Sequence, residues 1–362
     1  MDTHYEVHTS NATHDPAWDA FLAGTPGGHH VQTSLWGQLK AAFGWDVARL
    51  VVAEAGRIVA GAQLLTRPLP LLGSVGYITK GPLCAEDEPA LHQLVIAELL
   101  RLAEQRHVAY LIVEPPNNGA SLAAPLIAAG FRCSRIEVAP TATLIMDLAL
   151  DLPELLKRMK RQTRQNVLRA EREGITVREG SEQDLLTFYR LYLSTGRRQR
   201  FAPYPQEYFA AMWRILGAAG HAALLLAEYE GEAVSALLLI PFGDTVLAKT
   251  LGWSGEHGNR RPNEALFWAA VRWAKAHGYR RFDFEGLEPN VARAILDGQP
   301  LAAAMEHSPS FFKIGFGGQI VLCPPAYVRA RSRLLRLADR QIIARAEHWP
   351  AAQTMLERFV RR

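Results

Sequence analysis

Apolar and polar positions follow a pattern that occurs twice along the chain. The segments VVAEAGRIVAGAQLL (51–65) and LLLAEYEGEAVSALLLI (224–240) each place two apolar runs around a polar turn that contains glycine, which predicts two β-hairpins. After each hairpin, apolar residues recur at helical spacing, over residues 91–105 and 263–276, and a short buried run follows; this is typical of a helix and then a strand. Because both copies keep the same offset in every element, the pattern predicts two domains of one design.

Each half is predicted to run helix, hairpin, strand, helix, strand. That order is the order of the GNAT acyltransferase fold, a mixed sheet that splays open to admit an acyl donor, although order alone carries no chemistry. We therefore predict the α/β class, in the form of α+β mixed sheets, with tandem duplicated GNAT-like domains. The predicted boundaries are 1–145 for the first domain, 146–318 for the second and 319–362 for an Arg-rich helical tail that packs back on the first domain.

Composition and charge narrow the classes of protein. With 49% hydrophobic residues among 362, the chain has enough apolar content to offset the entropy of ordering, which excludes a disordered protein. Residues 157–172 hold seven Lys or Arg against one acid, and residues 329–362 hold nine Arg against three acids. Since the net charge of the chain is only +4, two basic segments lie on an otherwise acidic protein. This pattern fits a polyanionic or membrane-surface partner better than general basicity would, and a solvated face stays open as the alternative.

The sequence contains few signals for a cellular location, a metal site or a cofactor. No apolar run approaches the ~18 residues needed to span a bilayer, and MDTHYEVHTS at the start is too polar for a signal peptide. We expect a cytoplasmic protein, with contact of the Arg-rich tail at the inner face of an anionic membrane as an alternative to its packing on the first domain. Cys84, Cys133 and Cys323 are odd in number and far apart, so neither a disulfide framework nor a metal site is expected, and no cofactor.

A phosphate-binding loop is degenerate in both halves. GNAT enzymes that use acyl-CoA bind its pyrophosphate with backbone N–H groups at the start of the helix that follows the splayed strand. There the second half has Arg260-Arg261-Pro262-Asn263-Glu264-Ala265, in which Asn263 replaces a glycine, Pro262 removes a donor and Glu264 adds negative charge. The first half has Glu86-Asp87-Glu88 instead. We expect neither half to bind CoA, and 262–265 to be simply an N-capped helix start with Pro262 near its first position.

Six segments in order carry a family resemblance. They are QTSLWGQLKAAFGW (32–45), GYITKGP (76–82), LIVEP (111–115), LKRMKRQTRQNVLRAEREGI (156–175), RRPNEALFWAAVRWAKAHGYRRFDFEG (260–286) and FFKIGFGG (311–318). Over nearly the whole chain the sequence resembles the FemX/FemA/FemB (FemAB) family of peptidoglycan bridge-forming aminoacyltransferases. It is similar to the compact, FemX-like form without a long helical hairpin.

The resemblance implies a reaction and its partners. An amino acid of the Gly, Ala or Ser type would move from aminoacyl-tRNA to the amine of the third residue of a muramyl-pentapeptide, either UDP-MurNAc-pentapeptide or lipid II, with no DNA involved. An aminoacyl ester is already activated, so the amine needs only positioning, deprotonation and oxyanion stabilisation. This agrees with a sequence that offers no Cys/His or Ser/His/Asp set. Two alternatives stay open: an acyl-CoA N-acyltransferase and a non-catalytic protein that binds tRNA or membrane.

Two residues are candidates for catalysis. Lys313 lies beside three glycines in FFKIGFGG, where backbone can approach a substrate closely. The family resemblance implies that it stabilises the tetrahedral oxyanion or the leaving tRNA hydroxyl; the alternative is a surface lysine in a strand-and-turn segment. Glu114 ends the buried strand of the first half. Its carboxylate could accept the proton of the amine, hold the ammonium, or serve only as a structural cap.

The other candidates are predicted to bind substrate. In the first half, Trp36 and Lys40 share a helix face and Lys80 lies in a turn; the resemblance implies that these residues contact the phosphates and sugar of the precursor. It implies a second contact set across the inter-domain cleft, with a ring contact from Trp253; this set is Arg198, Tyr204 and Tyr208. One helix predicted from Leu152 to Glu173 has a basic face for tRNA phosphates, or simply for solvent, formed by Lys157, Arg161, Arg164 and Arg172.

Overall fold

The computed structural model describes residues 4–69, 73–134, 139–301, 305 and 308–332. The chain divides into two compact units. Unit 1 combines the residues up to Ala139 with the segment that begins at Cys323, and unit 2 runs from Pro140 to Leu322.

The strands and helices alternate along the chain. In order, the strands are β1 (Tyr5–Ser10), β2 (Asp46–Glu54), β3 (Arg57–Leu69), β4 (Gly73–Thr79), β5 (Leu83–Cys84), β6 (Val108–Glu114), β7 (Arg132–Cys133), β8 (Ala142–Asp147), β9 (Ile175–Glu179), β10 (Ala223–Tyr229), β11 (Glu232–Phe242), β12 (Thr245–Trp253), β13 (Arg281–Asp283), β14 (Gln319–Leu322) and β15 (Tyr327–Ala330). The helices are α1 (Pro16–Gly24), α2 (Ser34–Ala41), α3 (Pro89–Gln105), α4 (Ala123–Ala128), α5 (Leu152–Arg158), α6 (Arg161–Arg172), α7 (Leu185–Gln199), α8 (Gln206–Leu216), α9 (Pro262–Ala276), α10 (Pro289–Leu296) and α11 (Pro309–Ile314).

The two sheets have the same strand order. Unit 1 runs β1-β2-β3-β4-β6-β15-β7, with β5 paired to β3, and unit 2 runs β9-β10-β11-β12-β13-β8-β14. In each sheet one neighbouring pair is parallel, β4 with β6 and β12 with β13. The sixth position is filled by β8, the first strand of unit 2, and by β15, which returns to unit 1 after unit 2 is complete. The prediction of tandem, duplicated mixed sheets is confirmed.

The repeated hairpins form as the sequence predicts. Ala55 and Gly56 both have positive φ, 48° and 76°, and so do Glu230 and Gly231, 52° and 81°. Two successive left-handed residues are what a two-residue turn needs to match the twist of its strands. The predicted helices after the hairpins are α3 and α9, which begin at proline in both units because the missing N–H of proline costs nothing there.

Each unit has its own hydrophobic core. In unit 2, α9 buries its apolar face against the sheet, together with Phe284 and Phe316, which are fully buried. In unit 1, α3 packs in the same way, through Val95 and Leu99, against strands that include Leu64. Within the described residues, no helix combines the length and the apolar content that crossing a membrane would require.

The helix predicted from Leu152 to Glu173 is wrong, because it is two helices, α5 and α6. Met159 has extended backbone and is buried. The backbone N–H of Lys160 bonds to the carbonyl of Gly315 at 2.9 Å, outside any helix. Burial of Met159 and this tertiary hydrogen bond offset the lost helical bonds, so Lys157 lies on a different helix from the other three predicted tRNA contacts.

The basic tail differs from the helix that its spacing predicts. Arg329 lies in β15, which pairs with β6 of unit 1. A strand places successive side chains on opposite faces, so Arg329 does not begin a helical stripe. The rest of that predicted stripe, Arg333, Arg336 and Arg340, lies outside the described residues.

Candidate active site

The sheet of unit 2 opens between its parallel strands. Pairing of β12 with β13 covers only Thr245 to Leu247, whereas β12 continues to Trp253. On its other side β13 stays paired with β8, since the backbone N–H of Phe284 bonds to Leu144 at 2.9 Å, and Glu285 then takes a left-handed conformation with φ of 45°. Past Leu247 the two strands therefore separate.

An ion pair links the two separated segments. Lys249 on β12 places its Nζ 2.7 Å from Oε1 of Glu285, and both side chains are about a quarter exposed. The backbone of Glu285 is held in turn by Asp283, whose Oδ1 accepts its N–H at 2.8 Å and also accepts the hydroxyl of Thr143. Acidic groups in a buried strand are uncommon unless paired, and here both carboxylates have partners.

Lys313 lies against the same turn. Its ammonium donates to the backbone carbonyls of Glu285 and of Gly286, the second at 2.8 Å. Both carbonyls belong to left-handed residues, since Gly286 has φ of 63°. Burial lowers the pKa of Lys313, and the negative charges of Glu285 and Asp283 oppose that shift. The alternative of a surface lysine in a strand-and-turn segment is wrong, because Lys313 is half-buried on α11.

Two predicted substrate contacts, Tyr204 and Tyr208, lie next to this group. Tyr208 on α8 is buried, and its ring stacks on Tyr204 with 4.3 Å between centroids. Burial raises the pKa of Tyr208 well above its usual range, and the charges of neighbouring groups, Glu285 among them, add to the shift. The hydroxyl of Tyr208 therefore stays protonated near Glu285.

Arg198 and Trp253 form a second contact at the end of β12. The guanidinium of Arg198 lies 4.7 Å from the ring centroid of Trp253 and donates to the carbonyl of Ser254 at 2.8 Å. A guanidinium over an indole ring is a favourable cation–π arrangement. The predicted pair is thus adjacent, and Arg198 remains exposed.

The start of α9 is occupied by side chains of the chain itself. Glu264 is buried and accepts the amide of Asn166 at 2.9 Å, and Asn263 accepts the hydroxyl of Ser235 at 2.6 Å. Burial raises the pKa of Glu264. Pro262 is the first helical residue, as expected, although Arg261 before it forms no side-chain capping bond. A carboxylate in the first turn opposes binding of a pyrophosphate there.

In unit 1 the predicted residues are mostly inside the protein. Trp36 and Lys40 share a face of α2, as predicted, and both are buried, with Nζ of Lys40 5.9 Å from the Trp36 ring. Lys80 follows β4 in a turn and donates to Asn117 at 2.7 Å. Glu114 ends β6, as predicted.

The carboxylate of Glu114 joins two parts of unit 1. One oxygen accepts the hydroxyl of Tyr77 at 2.6 Å, and the other accepts the backbone N–H of Ala139 at 2.9 Å. The side chain is 6% exposed. These contacts match the structural alternative given for Glu114, a cap that ties the end of β6 to the last residue of unit 1 before the chain enters unit 2.

The predicted tRNA contacts lie on the surface of unit 2. Lys157, Arg161 and Arg172 are exposed, while Arg164 is half-buried and donates to the carbonyl of Lys157 at 3.1 Å. Other basic side chains extend the surface; these are Arg158, Lys160 and Arg169. Their partners on these two helices are solvent and nearby acids such as Glu154 and Glu173.

The structure thus places Lys313 and Tyr208 each near Glu285 and adds three residues that sequence reasoning missed. These residues are Lys249, Asp283 and Glu285. The available signal was FDFEG (282–286), in which acids alternate with apolar residues of a strand. Such acids need buried partners, but the sequence does not show that Lys249, on another strand, is one of them.

Sequence comparisons were made with protein families and curated proteins. A profile of the FemAB family matches residues 13–123, and a profile described as an acetyltransferase (GNAT) domain matches residues 157–290. A lipid II:glycine glycyltransferase of Staphylococcus saprophyticus is 27% identical over 231 residues, 61% of this chain and 56% of that protein. One from Staphylococcus aureus is 26% identical over 236 residues, 62% of this chain and 55% of that protein. The chain spans about half the length of these curated relatives.

Solved structures share the fold. A crystal structure of FemX has a TM-score of 0.81 at 20% identity, covering 92% of this chain and all of that one. A tandem GNAT protein from the clavulanic acid biosynthesis pathway has a TM-score of 0.55 at 14% identity, covering 91% of this chain and 99% of that one. With the two sheets of one design, the profile and structural matches above show tandem GNAT-like domains, and the chain is similar to the FemAB family over residues 13–123.

Proposed function

We propose that this protein is an aminoacyltransferase that builds a peptidoglycan cross-bridge. It moves an amino acid of the Gly, Ala or Ser type from aminoacyl-tRNA to the amine of the third residue of a muramyl-pentapeptide, either UDP-linked or lipid-linked. Similarity to the FemAB family supports this proposal, as do the curated relatives, which carry the name lipid II:glycine glycyltransferase. The acceptor amine attacks the ester carbonyl, and the ribose hydroxyl of the tRNA leaves.

The observation that carries the reaction class is the position of Lys313. Attack on an ester produces a tetrahedral centre with a negative oxygen, and a preorganised cation stabilises it. Lys313 is half-buried, and two of its three N–H donors are held by the carbonyls of Glu285 and Gly286. The third donor is left for a substrate oxygen, at an ammonium whose orientation is fixed before the substrate arrives.

Two further observations support tRNA as the donor. At the start of α9, Asn166 holds the buried carboxylate of Glu264 and Ser235 holds Asn263, and a carboxylate in the first turn disfavours the pyrophosphate of CoA there. The surfaces of α5 and α6 carry the predicted basic residues in exposed positions, suited to RNA phosphates. A membrane surface that presents lipid II stays a proposed partner as well.

An acyl-CoA N-acyltransferase is the second candidate. The acetyltransferase profile that matches residues 157–290 favours it, because that segment contains the splayed strands and α9. The carboxylate at the start of α9 opposes it, and binding of acetyl-CoA decides between the two.

The test is a direct transfer assay. The purified chain is incubated with radiolabelled Gly-, Ala- or Ser-tRNA, or with labelled acetyl-CoA, and with UDP-MurNAc-pentapeptide or lipid II as acceptor. We expect label from one tRNA to appear on the peptide, and loss of turnover with retained tRNA binding in Lys313→Ala. Transfer from acetyl-CoA alone would overturn the tRNA donor. Unchanged label transfer by Lys313→Ala would overturn the role of Lys313, and tRNA binding without any transfer would favour a non-catalytic protein.

A further inference from the structure

The two oxygens of the Glu285 carboxylate have different surroundings. Oε1 is held 2.7 Å from Nζ of Lys249. Within the part of the chain that the structure describes, Oε2 accepts no hydrogen bond, and the side chain is 24% exposed. One oxygen therefore fixes the carboxylate while the other can receive a ligand. A carboxylate that served only as one half of an ion pair would not need the open oxygen.

The open carboxylate and the ammonium of Lys313 belong to one local group. Lys313 donates to the backbone carbonyl of Glu285 itself and to that of Gly286. Because the turn at Glu285 and Gly286 is left-handed, it presents its carbonyls to Lys313 while the Glu285 side chain reaches Lys249. The result is a negative and a positive group fixed by the same two residues, each with capacity for one more hydrogen bond.

This charge pattern matches the intermediate of ester aminolysis. When an amine attacks an ester, one carbon comes to carry a negative oxygen and a positive nitrogen. Lys313 is complementary to the oxygen, and a carboxylate beside it is complementary to the nitrogen. The amine must also lose a proton for the product to form, and a carboxylate at the nitrogen is a suitable acceptor.

We propose that Glu285 is a catalytic residue that binds the primary amine of the acceptor and takes its proton through Oε2. This inference rests on the proposed function. Oε2 takes one proton from the bound ammonium, the freed lone pair forms the nitrogen–carbon bond, the nitrogen releases its second proton to solvent, and the carbon–oxygen bond to the ribose breaks. The protonated Glu285 then returns its proton to the leaving ribose oxygen, which regenerates the carboxylate.

Lys249 is a positioning residue in this scheme. Its bond to Oε1 orients the carboxylate and leaves Oε2 open to the substrate. The protonated hydroxyl of Tyr208, near Glu285, adds no negative charge to the site. Substitutions of Glu285 and of Lys249 are thus expected to have different effects on catalysis, since only Glu285 exchanges a proton with the substrate.

The principal test compares Glu285→Gln with Glu288→Gln. Glu288 is an exposed acid on the same loop and makes no side-chain capping bond. We expect Glu285→Gln to lower kcat by about 10²- to 10⁴-fold, the range for a lost general base, with tRNA binding and circular dichroism unchanged. Glu288→Gln should keep wild-type rates. Equal rates for wild type and a folded Glu285→Gln would overturn the inference.

The pH profile separates a proton acceptor from a structural carboxylate. A lysine-type amine has a pKa near 10.4, so without a base its reactive fraction rises about tenfold per pH unit below that value. Glu285→Gln should therefore show kcat/KM rising about tenfold per unit between about pH 6 and 9, steeper than wild type. Lys249→Met, which keeps the carboxylate, should retain the wild-type slope with a smaller loss of rate. Equal losses and equal slopes for the two variants would indicate only an ion pair.

Two controls distinguish a folding defect in Glu285→Gln and a failure of the proposed function from a failure of this inference. If Glu285→Gln does not fold, Glu285→Asp keeps the charge, and we expect a reduced rate with the wild-type pH slope; a steep slope there would contradict the proposal. If the wild-type chain transfers no amino acid from any tRNA, the proposed function itself fails. Transfer by wild type with no effect at Glu285 sinks this inference alone.

Discussion

The two units share a strand order and differ at one junction. In unit 1 the parallel pair β4 and β6 is joined from Ser74 to Thr79, with one register shift between Ser74 and Val75, and the pairing reaches the end of both strands. In unit 2 the corresponding pair, β12 and β13, separates after Leu247. The same duplicated sheet is therefore closed by backbone hydrogen bonds in one copy and bridged by the side chains of Lys249 and Glu285 in the other.

The difference shows where a duplicated fold can hold chemistry. At the closed end of unit 1, Glu114 has both oxygens bonded, to Tyr77 and Ala139, and is almost fully buried. At the open end of unit 2, Glu285 keeps one oxygen available and lies beside a positioned ammonium. Where two strands are paired, their backbone N–H and C=O groups are bonded to each other and no substrate can enter between them. Where the strands separate, polar groups become available for a substrate to contact.

The largest expected effect comes from removing the cation at the open end. Lys313→Met should lower the rate of transfer by about 10³-fold or more, the scale for loss of a group that stabilises an oxyanion. Lys275→Met is the matched control, because Lys275 is also half-buried in unit 2 and also donates to a carbonyl, that of Leu148 at 2.7 Å. Single-turnover transfer from labelled aminoacyl-tRNA measures both. A similar loss in both variants would mean that the lysines serve stability only.

A second effect should distinguish the surfaces of the two units. Replacing Arg161, Arg164 and Arg172 of α6 by Glu should weaken tRNA binding by about tenfold or more and reduce the dependence on salt, since each lost phosphate contact removes about 0.7 to 0.9 from the slope of log K against log salt. Arg101→Glu, on the exposed surface of α3 in unit 1, is the control and should change neither. Binding titrations at several salt concentrations test this. An unchanged slope in the α6 variant would leave that face merely solvated.

A third prediction concerns the turn that holds Lys313. Gly286→Ala strains a left-handed backbone, by about 1 to 2 kcal/mol, and shifts the carbonyl that binds Lys313. We expect about a tenfold loss of kcat, the effect of a cation displaced from its productive geometry. Gly278→Ala carries the same backbone strain, with φ of 82° and open space around the added carbon, and should lose stability without losing rate. Equal rates for folded Gly286→Ala and Gly278→Ala would show that the conformation of the turn at Gly286 does not affect catalysis.

The smallest effect on rate is expected at the closed end. Glu114→Gln replaces a carboxylate that accepts two hydrogen bonds inside unit 1. Because an amide cannot accept both in the same way, we expect the free energy of unfolding to fall by about 1 to 3 kcal/mol, with the rate changed less than the Lys313 variant changes it. Urea denaturation and the transfer assay measure the two quantities. A rate loss as large as that of Lys313→Met would make Glu114 part of the chemistry.

Prediction from sequence succeeded where the cause is local. The hairpin turns at Ala55-Gly56 and Glu230-Gly231 follow from the glycine between two apolar runs, and α3 and α9 follow from apolar spacing and a proline at the first position. It failed at Met159, where burial and a hydrogen bond from Lys160 to Gly315 break a helix that local spacing predicts. It also failed at Arg329. Its spacing predicts a place on a helical stripe, but Arg329 lies in β15, which pairs with β6.

The sequence by itself determined the duplicated mixed sheets, the resemblance to the FemAB family and several residues of the candidate site, because periodicity, turn residues and ordered motifs can be read along the chain. Only the tertiary structure decided that β12 and β13 separate, and that Lys249, Glu285 and Lys313 meet there. Those three residues come from different segments, and the left-handed turn at Glu285 and Gly286 joins them, because Lys313 donates to its carbonyls and Lys249 pairs with the Glu285 side chain. Such a meeting depends on hydrogen bonds between distant parts of the chain, and no local pattern records them.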